Sequence, residues 1–205
     1  MARGKRFLSL TLIAFTSLVV PMGRQQDKTD KTTPTIVQNV KSTMRKIYEE
    51  DQKDRTDEAG DARRREQVRQ LISEGTVQSG EDYYYAAFIF QHGQKPSDYL
   101  YAHVLAVTAV NKGLHNAMWL SAATLDRYLH SIRQSQVFGT QFGSLYDSRD
   151  DQEPYDRGIV SDALRALWCV VPESAQAKIL SDTRAGKEFR STRTCPLPDA
   201  QFDVN

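Results

Sequence analysis

The sequence has little charge imbalance, little cysteine and no long apolar run, and each shortage narrows what the chain can be. Its 27 basic and 26 acidic side chains nearly cancel. The one basic run, Arg63-Arg64-Arg65, is followed at once by Glu66, which reads as a solvated helix face. A nucleic-acid or anionic-membrane partner needs a concentrated basic surface, and none is present. No Gly-Lys-Ser/Thr loop, Gly-x-Ser-x-Gly elbow, His-Glu-x-x-His or Gly-x-Gly-x-x-Gly occurs, which removes the commonest nucleotide, serine-hydrolase and zinc-protease readings. The acidic set Asp147, Asp150, Asp151 and Glu153 lacks the spaced ligands and glycine of a calcium loop. No segment alternates apolar and polar residues long enough to predict a strand.

The longest apolar stretch, Phe7–Val20, has 14 residues, against the roughly 20 that a membrane-crossing helix requires. Arg3, Lys5 and Arg6 precede it, and Pro21 and Gly23 follow it. That order of basic, apolar and helix-breaking sequence predicts an export signal over residues 1–23. A clean cleavage site is missing, so an uncleaved signal anchor is the alternative, and membrane contact is then confined to residues 7–20. No cysteine follows the apolar run, which excludes a lipid-anchored N-terminus. Removing residues 1–23 takes away three basic and no acidic side chains and leaves a net charge of −2. The two cysteines, Cys169 and Cys195, suit a disulfide in an oxidising compartment. Such a bond is worth roughly 3 kcal/mol in loop entropy; two unconnected thiols are the other reading. The expected location is therefore extracytoplasmic.

A chain of 205 residues predicts one domain with a tail. Residues 24–33 are polar and aperiodic, a linker. From Pro34, the residues Ile36, Val37, Val40, Met44, Ile47 and Tyr48 form one helical stripe. Asp57–Asp61, with Gly60, is expected to break it, and Ala62–Glu74 to form a second helix. Ser79 and Asp82 have capping-box spacing ahead of Tyr83–His92. Pro96-Ser97-Asp98 restarts the chain as a helix apolar almost all round over Tyr99–Val110, which places it in the middle of a bundle. Gly113 ends that helix, and Ala117–Ile132 forms the next. Phe138–Pro154 reads as loop. Short helices are expected from Ser161 to Cys169 and from Pro172-Glu173 to about Ser181. The fold class is all-α, a compact bundle of antiparallel helix hairpins over residues 34–184, with an irregular tail over 185–205.

Over Tyr83–Leu129 the residues Gly93, Pro96-Ser97-Asp98-Tyr99, Ala102, Ala106, Ala109, Lys112-Gly113, Asn116-Ala117 and Leu120 resemble one and a half units of a Sel1-like repeat, a relative of the tetratricopeptide repeats. The interior glycine of its first helix is replaced near Ala87. Across residues 48–180 the set Asp51-Gln52, Asp54-Arg55, Gln91-His92-Gly93, Ala102-His103, Asp126-Arg127 and Gln136 with Gly139-Thr140-Gln141 resembles an uncharacterised bacterial helical family. That resemblance implies a compact helical domain and no named chemistry.

The candidate functional residues are polar groups set in apolar sequence. His103 is expected to be buried within its helix, and His92 ends the preceding one. Hairpin packing is expected to bring His92, His103 and Asp126 together, with Asp51 or Asp54 from the first helix. Three readings of this cluster stand: a structural network, which is the default for buried polar groups; a general acid–base site; or, should any metal bind, a two-imidazole, one-carboxylate ligand set. Arg127, Gln136, Thr140, Gln141, Asp51, Asp54 and Arg55 are candidate binding residues. Tyr83-Tyr84-Tyr85 can bury at most two of its rings together and is expected to leave at least one exposed, which favours a partner or carbohydrate surface. No cofactor is called for. The function these features favour is an exported binding module for a protein or envelope component; the alternative is an envelope hydrolase.

Overall fold

The computed structural model describes residues 33–53, 57–142, 152–187 and 191–195. The expected export signal and almost all of the linker, together with Asp54, Arg55, Asp147, Asp150 and Asp151, lie outside them. The described residues belong to one compact unit and form seven α-helices and no strand: α1 (Thr33–Lys53), α2 (Glu58–Ser73), α3 (Gly80–Gln91), α4 (Pro96–Asn111), α5 (Met118–Ser131), α6 (Asp162–Leu167) and α7 (Glu173–Arg184).

The expected caps explain most of the boundaries. Ser79 accepts from the Asp82 amide while the Asp82 carboxylate accepts from the Ser79 amide, a complete capping box. Pro96 occupies the first turn of α4, where its missing N–H costs nothing. Gly113, at φ +94°, takes the left-handed turn that reverses the chain between α4 and α5. The break between the first two helices falls earlier than the expected Asp57–Asp61, since α1 ends at Lys53 and α2 begins at Glu58. Asp57 is the N-cap of α2, accepting from the Gly60 amide at 2.8 Å, and a Cβ on residue 60 would collide with that capping carboxylate. The glycine makes room for the cap and starts the helix.

A first core joins Met44 and Ile47 of α1, Val68 of α2, Tyr84, Tyr85, Ile89 and Phe90 of α3, the alanines and Leu105 of α4, and Leu120 of α5. The alanines let α3, α4 and α5 approach closely. Helix α4 packs between α3 and α5, as expected, but it is not buried on every side: Tyr99, Ala102, Leu105, Ala106 and Ala109 face inward, while Leu100 and Val104 are 40% and 51% exposed. The small side chains mark the packed face, so hydrophobicity all round did not mean burial all round. Two rings of the tyrosine run, Tyr84 and Tyr85, are buried, as many as expected, but Tyr83 is half-buried rather than exposed and donates to the Val77 carbonyl at 3.1 Å.

A second core gathers Ala122, Phe138, Val160 and Val170, and Trp119 packs against both. The disulfide forms between Cys169 and Cys195. It pins residues 191–195 beside residues 169–171, where Val171 N donates to Thr192 O and Thr194 N to Cys169 O. This part of the expected irregular tail is therefore an ordered strap. The bond suits an oxidising extracytoplasmic compartment, and no helix among the described residues is long and apolar enough to cross a membrane.

Candidate functional site

Asp51 follows Met44 and Ile47 on the inward stripe of α1, and that spacing carries a carboxylate into the core with no exposure. There it meets His92, the C-cap of α3, with Nδ1 2.7 Å from Asp51 Oδ2. Gln52 Nε2 donates to the same oxygen at 2.8 Å. Arg64 of α2 places Nε 3.6 Å from Asp51 Oδ1 and pairs through Nη2 with Asp61. Burial works against the Arg64 cation, but its bond to Asp61 and the fields of Asp61, Asp51 and Asp57 outweigh burial and hold the guanidinium above its ordinary range. A carboxylate on Nδ1 fixes the imidazole proton there. Nε2 is then left as an acceptor, with Gln91 Nε2 at 3.3 Å.

Gln91 is the junction. Its carbonyl accepts from Arg127 Nη1 at 2.8 Å, and Arg127 Nε donates to Gln141 Oε1 at 3.1 Å. Gln141 Nε2 donates to Ala123 O at 3.0 Å and to Thr140 Oγ1 at 3.2 Å. Thr140 Oγ1 donates to Asp126 Oδ2 at 2.7 Å. Asp126 also accepts from the amides of Val137 at 2.8 Å, Phe138 at 3.0 Å and Thr140 at 2.9 Å. One continuous polar chain therefore runs from Asp51 through His92, Gln91, Arg127, Gln141 and Thr140 to Asp126, across segments up to 90 positions apart in sequence.

The periodicity of α5 explains the division of labour. Ala122, Asp126 and His130 share one stripe; Asp126 binds the loop after the helix, and His130 Nε2 lies 2.9 Å from Glu153 O. Trp119, Ala123 and Arg127, one stripe round, line a cleft of about 300 Å³ together with Gln91, Thr140, Gln141, Phe142, Thr183 and Thr192. Burial pushes the Asp126 carboxyl above its ordinary range, and its four donors pull against that shift. The strap closes one wall of the cleft: Trp119 Nε1 donates to Thr192 Oγ1 at 2.9 Å, and the Arg193 guanidinium sits 4.4 Å over the indole. A second pocket, of about 360 Å³, is lined by Glu58, Asp61, Arg65, His92 and Gln94.

The expected convergence of His92, His103 and Asp126 is corrected. Each has its own partners: His92 has Asp51, Asp126 has the loop amides, and His103 Nδ1 lies 2.9 Å from Ser121 O. His103 is half-buried, because its position on α4 falls between the packed alanines and the outer face. Among the described residues no group of three His, Cys, Asp or Glu side chains is placed to hold a metal. Gln136 is fully buried, and its amide donates to Gln141 O at 3.0 Å and Gln152 O at 2.5 Å, which makes it a brace for the loop.

Sequence reasoning missed the polar interior behind the cleft. Gln152 and Gln176 are buried, and Arg165 is 2% exposed. Gln176 Nε2 donates to Phe138 O at 2.8 Å, and Arg165 Nη2 donates to Tyr155 Oη at 2.7 Å. Burial pushes the Tyr155 phenol up, against the nearby Arg165 cation. Together these groups satisfy the carbonyls of a loop that has no helix to satisfy them. The one available signal was Arg165 within Ala163–Leu167, an arginine in otherwise apolar sequence. No family model, no curated protein and no solved structure matches this chain.

Proposed function

We propose that the chain is an exported binding module of the cell envelope, delivered by residues 1–23, and that its ligand enters the cleft around Arg127. The ligand is an envelope component, protein or polymer, rich in hydrogen-bonding groups. One observation carries the reading: Gln91, Arg127, Thr140 and Gln141, from three separate segments, are fixed by mutual hydrogen bonds around a single cleft. Side chains held in place before a ligand arrives lose little freedom on binding it. The Arg193 guanidinium already sits over the Trp119 indole, and the fixed polar groups of the cleft supply the recognition. The resemblance of residues 83–129 to Sel1-like helix pairs fits this role, since such pairs present grooves to partners.

The test is titration of the purified chain against isolated cell-wall polymer, envelope membrane vesicles and soluble envelope proteins, each with wild type and Arg127→Ala. The reading expects one fraction to bind, with affinity falling about tenfold or more in the variant, the worth of one charged hydrogen bond. Binding equal in wild type and a folded Arg127→Ala, or binding to no fraction, overturns it.

A further inference from the structure

We propose that His92 and Asp51 form a proton-accepting pair that hydrolyses a carboxylic ester in the second pocket, with Arg65 stabilising the oxyanion. This activity is separate from the binding cleft and stands or falls apart from it.

Three features of the pocket carry the assignment. The imidazole is oriented: a wholly buried carboxylate 2.7 Å from Nδ1 fixes one tautomer and leaves Nε2 basic. That carboxylate is itself held by Gln52 and Arg64, and it favours the imidazolium that forms when Nε2 takes a proton. Arg65 lines the same pocket, and its Nη1 is buried with no hydrogen-bond partner. A buried N–H without an acceptor is costly, and a transient oxyanion would satisfy it.

The charges around the pocket select the substrate. Around His92 stand Asp51 from α1, Glu58, Asp61 and Arg65 from α2, and Gln91 from α3, with Arg64 of α2 against Asp51. Glu58 and Asp61 repel a substrate that is anionic at rest, such as a phosphodiester. A carboxylic ester is neutral on entry and becomes negative only in the tetrahedral intermediate, beside Arg65. A water molecule gives a proton to His92 Nε2, displacing the Gln91 amide, as its oxygen bonds to the acyl carbon. The carbonyl π electrons move onto the oxygen that Arg65 holds. Collapse breaks the bond from carbon to the alkoxy oxygen, and that oxygen leaves as an alcohol with the proton from His92. Ester and water become acid and alcohol, and the enzyme returns to its starting state.

The experiment is initial-rate hydrolysis of p-nitrophenyl acetate by the purified full chain as a function of pH. Saturable hydrolysis is expected, faster at alkaline than at acid pH because only the unprotonated imidazole accepts a proton. His92→Gln lowers kcat/KM by on the order of 100-fold, and Arg65→Gln lowers kcat by a similar factor. Asp51→Asn lowers kcat at unchanged KM and moves the pH midpoint down, which a purely structural role would not do. His115→Gln, at an exposed histidine remote from the pocket residues, leaves the rate unchanged. Should Asp51→Asn fail to fold, Arg65→Gln on the outer helix α2 carries the test. Hydrolysis no faster than by free imidazole, a rate that survives in His92→Gln, or a rate no faster at alkaline than at acid pH overturns the proposal.

Discussion

Asp126→Ala is expected to cost about 4 kcal/mol, because the loop that builds the binding cleft hangs on that one carboxylate. Asp126 has no solvent exposure and accepts from three backbone amides, of which Phe138 and Thr140 are buried and Val137 partly so. Removing an acceptor leaves a buried donor unsatisfied at about 1–3 kcal/mol each. Two full penalties and a partial one sum to about 4 kcal/mol, a large part of the 5–15 kcal/mol typical of a folded domain. Asp126→Asn keeps one acceptor oxygen for Val137 and Phe138 but turns an NH₂ toward the Thr140 amide, so its cost is about half. Urea unfolding followed by tryptophan fluorescence measures both, with an unchanged slope expected because the surface exposed on unfolding is the same. Burial holds the folded-state pKa of Asp126 above its unfolded value. Its titration therefore removes stability as pH rises through that folded value, a fall the Asn variant lacks. A loss below about 1 kcal/mol for Asp126→Ala, against the penalties just set out, or an Ala variant no worse than Asn, refutes the reasoning.

Gly139→Ala is expected to cost about 3 kcal/mol or more: φ is +79°, and a Cβ would collide with Gln176 Oε1 and come within 2.7 Å of the Tyr155 ring; unfolding within 1 kcal/mol of wild type by the same scale would contradict the loop geometry. Cys195→Ser removes a cross-link spanning a separation of 26 residues and should cost roughly 3 kcal/mol, with Trp119 fluorescence changing as the strap loosens. An unaltered emission spectrum would show that the disulfide does not hold the strap against Trp119. Asp182 is held down to about 2, first by its bond from Lys178 and then by that from Lys187. Its depressed folded pKa gives stability that is present above the unfolded value of about 3.9 and is lost as pH falls through the folded one. Acid unfolding of Asp182→Asn should lack that part of the slope, and an identical acid limb would argue against the lysine clamp.

What could be read in advance followed from strong local rules. The capping box at Ser79–Asp82, the N-terminal Pro96 and the turn at Gly113 each fix a helix end within a few residues, so α3, α4 and α5 were legible from the chain alone. So was the pairing of Cys169 with Cys195, because only two thiols exist to pair. The errors share one cause, which is that polar groups choose partners by tertiary geometry. His103 on α4 and Asp126 on α5 interrupt equally apolar sequence, yet the first lies beside the Ser121 carbonyl and the second beneath three loop amides. Arg64 looked like part of a solvated basic run and is instead the counter-charge to two carboxylates. Gln91 carried no signal beyond its neighbour His92, although it links the Asp51–His92 pair to the Arg127 cleft. Gly60 reads as a helix breaker until the capping carboxylate that needs its empty space is seen.

The most direct test of the proposed binding role is side-chain NMR on the ¹⁵N-labelled chain during titration with the envelope fraction it binds. The account predicts that the largest shifts fall on Arg127 Nε and on the Gln91 and Gln141 amide groups that line the cleft. Shifts centred on the backbone amides of the exposed apolar residues Leu100 and Val104 of α4 or Leu164 and Leu167 of α6, with the cleft signals unmoved, would contradict it.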